Sequence, residues 1–91
     1  MKLIIKYQAK LQHKDALEKA LQSIIDITRS ASGCVQCDLH SSLENKLVFF
    51  LDQLWVSEEN WNNYKQRKHM QEFFTITESM IDTIDLSILE H

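Results

Sequence analysis

The sequence predicts an α+β sandwich of ferredoxin-like order, β-α-β-β-α-β, with four antiparallel strands and the helices on one face. Three observations predict it. Apolar residues alternate with period two in four separate stretches. Two stretches of period 3.6 lie between them, after the first strand and after the third. The order of the two periods along the chain is that of a split β-α-β pair. At 91 residues the chain has the length of one domain, 1–91.

Each element has its own reason. Residues 2–11 place Leu3, Ile5, Tyr7, Ala9 and Leu11 on one face and Lys2, Lys6, Gln8 and Lys10 on the other, which reads as a strand. From about Lys14, Leu17, Ala20, Leu21, Ile24, Ile25 and Thr28 recur at three- and four-residue steps, an amphipathic helix. Ser30-Ala31-Ser32-Gly33 ends it, with Gly33 as the left-handed residue. Cys34–Ser41 alternates again, with Val35, Cys37 and Leu39 expected inward. A polar turn at 42–46 joins it to Leu47–Val56 as a hairpin.

This third strand is apolar on both faces. Leu47, Phe49, Leu51 and Trp55 share one side, Val48, Phe50, Leu54 and Val56 the other. Such a strand is expected to be covered on both sides. The helices supply one cover, and a second copy of the sheet is the simplest candidate for the other. Ser57 followed by Glu58 and Glu59 starts a helix, a hydroxyl cap and then acids at the positive end of the dipole. Helical sequence runs to about Met80 with a break expected near Arg67–His69, and the last strand is expected over Ile81–Glu90.

Composition excludes several classes. No apolar run approaches the roughly 20 residues of a membrane helix. A net charge of −3 gives no electrostatic footprint for nucleic acid. The first six residues have no sustained apolar core and no small-residue cleavage site, so no secretory signal is expected. Two cysteines make no disulfide scaffold, and a reducing, cytoplasmic setting is expected. Cys34 and Cys37 have the spacing of a metal or redox pair. On a strand, positions three apart face opposite sides, so neither a metal nor a bridge is expected there.

Two clusters remain. Lys65-Gln66-Arg67-Lys68-His69 is basic and reads first as a solvated helix face. Trp55, Trp61, Tyr64, His69, Phe73 and Phe74 gather aromatics and an imidazole between the third strand and the second helical region. Packing accounts for most aromatic residues in such a position. Trp, Tyr and His also carry polar atoms that want partners when buried, and several facing one space point to a pocket. His13, His40 and His91 read as solvated.

The pattern resembles the antibiotic biosynthesis monooxygenase domain family over nearly the whole chain. The resemblance rests on Ser30-Ala31-Ser32-Gly33-Cys34, on Phe49-Phe50-Leu51-Asp52-Gln53-Leu54-Trp55-Val56-Ser57-Glu58-Glu59, and on the positions after Trp55. The family has a histidine nine residues after this tryptophan and another five further on. Here those places hold Tyr64 and His69, followed by a family-like Phe73-Phe74. The family's usual acid two before the tryptophan is Gln53.

The resemblance implies a dimeric α/β barrel, a homodimer whose sheets pack face to face, with a pocket between helices and sheet in each subunit. It implies oxygenation of quinols, anthrones or related phenols by dioxygen, without metal, flavin or other cofactor. A haem-degrading branch has Asn, Trp and His where this chain has Tyr7, Tyr64 and Phe74, so haem degradation is not expected. The expected function is a cofactor-independent monooxygenase acting on a small aromatic phenol.

A phenol titrates near a pKa of about 10 and a free imidazole near about 6.5, so a neutral histidine accepts the proton once the anion is stabilised. His69 is then the expected base and Tyr64 the group that orients it. Trp55, Trp61 and Phe73 are the expected flat walls, Tyr7 a further substrate-binding residue, and Lys68 an attractor of anions. The alternative is a non-catalytic dimeric module that binds a small molecule in the same fold.

Overall fold

The computed structural model describes residues 1–90. His91 lies outside the described residues. Strand β1 (Lys2–Ala9) leads through a short 3-10 turn into α1 (Lys14–Arg29), followed by β2 (Cys34–Ser41) and β3 (Val48–Trp55). Then come α2 (Glu58–Lys65), α3 (Lys68–Thr77) and β4 (Ile81–Leu89). The four strands form one antiparallel sheet in the order β2-β3-β1-β4, which is the ferredoxin-like α+β arrangement. The sheet is open at both edges.

The two periods of the sequence become the two layers. Leu3, Ile5, Tyr7 and Ala9 of β1 and Phe49, Leu51 and Trp55 of β3 are buried under Leu17, Leu21, Ile24 and Ile25 of α1. Each such fully buried large side chain contributes roughly 1.5–3 kcal/mol. Arg29 ties the end of α1 to β2. Its Nε donates to the carbonyl of Cys37 at 2.8 Å, and its Nη2 pairs with Asp38 at 3.0 Å.

Gly33 turns the chain from α1 into β2 with φ of 85°, a conformation that costs other residues. A β-carbon there would also fall on the side chain of Asn60 in α2. The Ser57 hydroxyl accepts from the backbone N–H of Asn60 at 3.2 Å and so caps α2. Two residues separate α2 from α3: Gln66, which caps α2, and Arg67, which is extended with ψ of 146°. The break falls within the interval the sequence predicts.

Leu11, expected on the inner face of the first strand, is 78% exposed because β1 ends at Ala9 and Leu11 opens the 3-10 turn. Two further features depart from the expected pattern. A β-bulge at Val35 sets two residues of β2 against one of β3, so that Cys34 pairs with Trp55 and Gln36 with Leu54. Val35 turns outward, 61% exposed, where the alternation placed it inside. The shift also places Cys34 and Cys37 on one face, opposite Trp55 and Gln53, which corrects the expectation of opposite sides. Both thiols are free.

The second departure is at β4. Ile84, Leu86 and Ile88 pair with Tyr7, Ile5 and Leu3 and face the helices, yet each stays about half exposed because the helices stop short of this edge.

On the opposite face no helix covers β3, although Val48, expected to need cover there, is already buried at the turn end of the strand, 4% exposed. Phe50 and Leu54 are half-buried, and Val56, just past the strand, is 70% exposed. Lys2 and Asp52 form an ion pair across the same surface. Among the described residues no helix is long and apolar enough to cross a membrane.

Candidate functional site

The gap between the helices and the β4 side of the sheet is a cavity of about 270 Å³. Ile5 and Leu51, a cross-strand pair, make its floor. Trp61 from α2 and Met70 and Phe73 from α3 make its walls, and Phe74, Ile84 and Leu86 its rim. Besides the indole of Trp61, four residues bring polar groups to this apolar space: Tyr7, Gln53, Tyr64 and Lys65. No Asp, Glu or His stands among the described residues that line it.

Tyr64 is held from two sides. Its hydroxyl lies 2.8 Å from Thr28 Oγ1 on α1 and 3.0 Å from His69 Nε2 on α3. Its ring packs against Trp55 with centroids 5.3 Å apart and meets the His69 imidazole edge-on, also at 5.3 Å. Burial pushes the Tyr64 phenol above its usual value, against the lowering effect of the Thr28 hydrogen bond. Burial raises Tyr7 far more, so its hydroxyl stays neutral.

Of the six side chains expected at the site, Tyr7, Trp61, Tyr64 and Phe73 line the cavity. Trp55 and His69 do not. Trp55 is 1% exposed and lies behind Tyr64, with its indole Nε1 donating to Gln53 Oε1 at 2.8 Å. His69 faces a shallow groove between α1 and α3, beside Ile27 and Glu72, and its described link toward the cavity is the Tyr64 hydroxyl.

Lys68, the expected anion attractor, points away from the cavity and lies 4.0 Å from Glu72 on the outer face of α3. The cation at the cavity is Lys65, with Nζ 3.8 Å from the Trp61 ring centroid, a cation–π contact that keeps the ammonium at the entrance.

Sequence reasoning missed four contributors. Gln53 stood out only as a departure from a family pattern, and Thr28 read as one more position in an apolar stripe. Lys65 lay in a run read as solvated, although its place four residues after Trp61 puts the two on one helix face. Met70 gave no signal beyond core. Cys37 sits beside Gln53 with no exposed surface, and burial, with Cys34 nearby, pushes its thiol up to about 12.

Comparison with known proteins places the fold. The fold is similar to that of PA3566 from Pseudomonas aeruginosa, with a TM-score of 0.94 and 23% identity, covering 99% of this chain and 91% of that one. It is also similar to a candidate antibiotic biosynthesis monooxygenase from Nitrosomonas europaea, with a TM-score of 0.93, 14% identity and coverage of 100% and 98%. Rv0793 from Mycobacterium tuberculosis follows at a TM-score of 0.86 and 17% identity, covering 99% and 95%. No curated protein matches the sequence. The family profile described as antibiotic biosynthesis monooxygenase matches residues 1–75, from β1 through most of α3. The chain belongs to the antibiotic biosynthesis monooxygenase family.

Proposed function

We propose that the protein is a cofactor-independent monooxygenase acting on a small, flat phenol of the quinol or anthrone kind. The observation that carries this reading is Tyr64, which both lines the cavity and hydrogen-bonds an imidazole. A hydroxyl offers one donor and two acceptor positions. Donation to His69 Nε2 and acceptance from Thr28 Oγ1 leave one lone pair of Tyr64 for a substrate hydroxyl.

In this reading the substrate proton passes to the Tyr64 oxygen while the Tyr64 proton passes to His69. A phenolate is left in the cavity and an imidazolium outside it. Tyr64 itself never needs to ionise, which agrees with its raised titration. His69 acts through Tyr64 and is a positioning and proton-holding group.

The electron-rich anion then reduces dioxygen directly. For an anthrone, which carries its hydroxyl in the enol tautomer, loss of that proton makes the former CH₂ carbon electron-rich; this carbon becomes C=O, one oxygen atom enters the substrate and the other leaves as water, with all four electrons drawn from the substrate. Trp61 and Phe73 supply flat apolar walls that exclude water and strengthen each polar contact. Oxygen uptake with anthrone, compared between wild type and Tyr64→Phe, tests the proposal.

The working unit in this reading is a homodimer. Past the buried Val48, the far face of β3 leaves Phe50 and Leu54 half-buried and Val56 exposed, and a second sheet laid against it closes a barrel. One observation favours the non-catalytic reading instead: the cavity lining has no carboxylate or imidazole among the described residues, which suits binding without proton transfer.

A further inference from the structure

Gln53 is an amide whose orientation is decided by its neighbour. An indole N–H can only donate, so the Gln53 atom 2.8 Å from Trp55 Nε1 must be the carbonyl oxygen. That removes the ambiguity between the two ends of the side chain. Trp55 does not line the cavity and Gln53 does, so Oε1 is turned toward the core and Nε2 is the end left for the cavity.

Gln53 is 4% exposed, and its Nε2 has no N or O hydrogen-bond partner among the described residues. The Cys37 sulfur, whose titration burial raises and this amide only slightly offsets, is a weak acceptor for at most one of its two hydrogens. A ligand oxygen would give this amide a stronger acceptor than the thiol does.

We propose that Gln53 is the specificity-determining residue of the cavity, its Nε2 donating to a carbonyl or phenolate oxygen of a flat aromatic ligand. The assignment deepens the proposed function and rests on its reading of the cavity as a ligand site. The rest of the lining agrees. Lys65 at the entrance is a second donor and no carboxylate opposes an electron-rich oxygen.

Tyr7 marks the other end of the floor. Gln53 pairs with Leu3 and Tyr7 with Phe49, four residues apart along β1. That separation is roughly 13 Å along the strand, with the apolar pair Ile5 and Leu51 between. A ligand with an apolar ring system and an acceptor oxygen at the Gln53 end fits this order of groups. A carboxylate at position 53 would reverse the preference, because it offers only acceptors.

The test uses 1-indanone and indane, which share a flat shape and differ by the carbonyl, titrated calorimetrically into the intact protein. Wild type is expected to bind the ketone about ten-fold more tightly, the ratio one added hydrogen bond gives. The ketone alone is expected to move the Gln53 side-chain amide protons downfield in nuclear magnetic resonance spectra, a readout that needs no variant. Gln53→Met, close in size, and Gln53→Glu, ionised, are expected to abolish the preference while still binding indane.

Equal affinity of wild type for the two ligands would overturn the assignment and leave the cavity as an apolar site. A ketone preference that persists in Gln53→Met would overturn it in favour of another donor. Binding of neither ligand would overturn both this assignment and the proposed function.

Discussion

The hydroxyl of Tyr64 lies 3.0 Å from Nε2 of His69, and this contact joins a buried cavity to an imidazole at the protein surface. The two residues sit on different helices, α2 and α3, and only the break at Gln66 and Arg67 lets their side chains meet. A continuous helix would set positions five apart about 140° around the axis from one another. The break is therefore part of the candidate site.

The second bond to Tyr64 has a measurable worth. Thr28 is fully buried, so removing its partner leaves a hydroxyl without its strong acceptor or donor. Tyr64→Phe is expected to destabilise the fold by about 1–2 kcal/mol. A double-mutant cycle with Thr28→Val is expected to return a coupling of about 1 kcal/mol by chemical denaturation. A coupling near zero would show that the 2.8 Å contact contributes nothing to stability.

Gly33 is expected to resist substitution. Gly33→Ala meets both a positive φ and the side chain of Asn60, so a loss of about 1–3 kcal/mol is expected in urea denaturation. Gly33→Ala in an Asn60→Gly background relieves the clash and is expected to recover part of the loss, but not the part due to φ.

Alkali is expected to unfold the protein through Cys37. Its folded thiol titrates at about 12 because of burial, whereas an exposed thiol titrates near about 8.5. Above the lower value the unfolded state releases a proton that the folded state keeps, so stability is full below it and falls as pH rises toward the upper one. Tyr7, raised in the same way, adds to the loss at higher pH. Melting temperatures measured from pH 8 to 11 are expected to fall, and to fall less steeply for Cys37→Ala. Parallel slopes for the two proteins would remove Cys37 from the effect.

The uncovered face of β3 predicts association. Sedimentation is expected to find a dimer at micromolar concentration, with an interface above about 2,000 Å² if the association is obligate. Phe50→Asp is expected to yield monomer or aggregate, since it would bury an unpaired carboxylate. A wild-type monomer of 10.7 kDa at that concentration would contradict the second-sheet reading.

Much of this fold was legible in the sequence because burial writes a period. Leu3, Ile5 and Tyr7, and Leu17, Leu21 and Ile24, show their element and their buried face by spacing alone. The bulge at Val35 was not legible. One inserted residue preserves the local alternation on either side of it, and only the pairing with Trp55 and Leu54 reveals the slip.

The site was legible in part, for a different reason. Trp61, Tyr64 and Phe73 announce themselves as large aromatics clustered on the second helical region. Whether a side chain lines a cavity or stands behind another depends on packing angles that spacing does not encode. Trp55 and His69 thus fell behind Tyr64, while Gln53 came forward because Trp55 holds one end of its amide.

The central claim is that Tyr64 passes a substrate proton to His69 so that an anion can meet dioxygen. The most direct measurement is oxygen consumption with anthrone, followed with an oxygen electrode for wild type, Tyr64→Phe and His69→Ala, each first shown to be folded by circular dichroism. Wild type is expected to consume one dioxygen per anthrone oxidised to anthraquinone, and each variant to be slower by about 10²–10⁴-fold, the range for loss of a positioned acid–base group. Consumption by Tyr64→Phe at the wild-type rate would contradict the account.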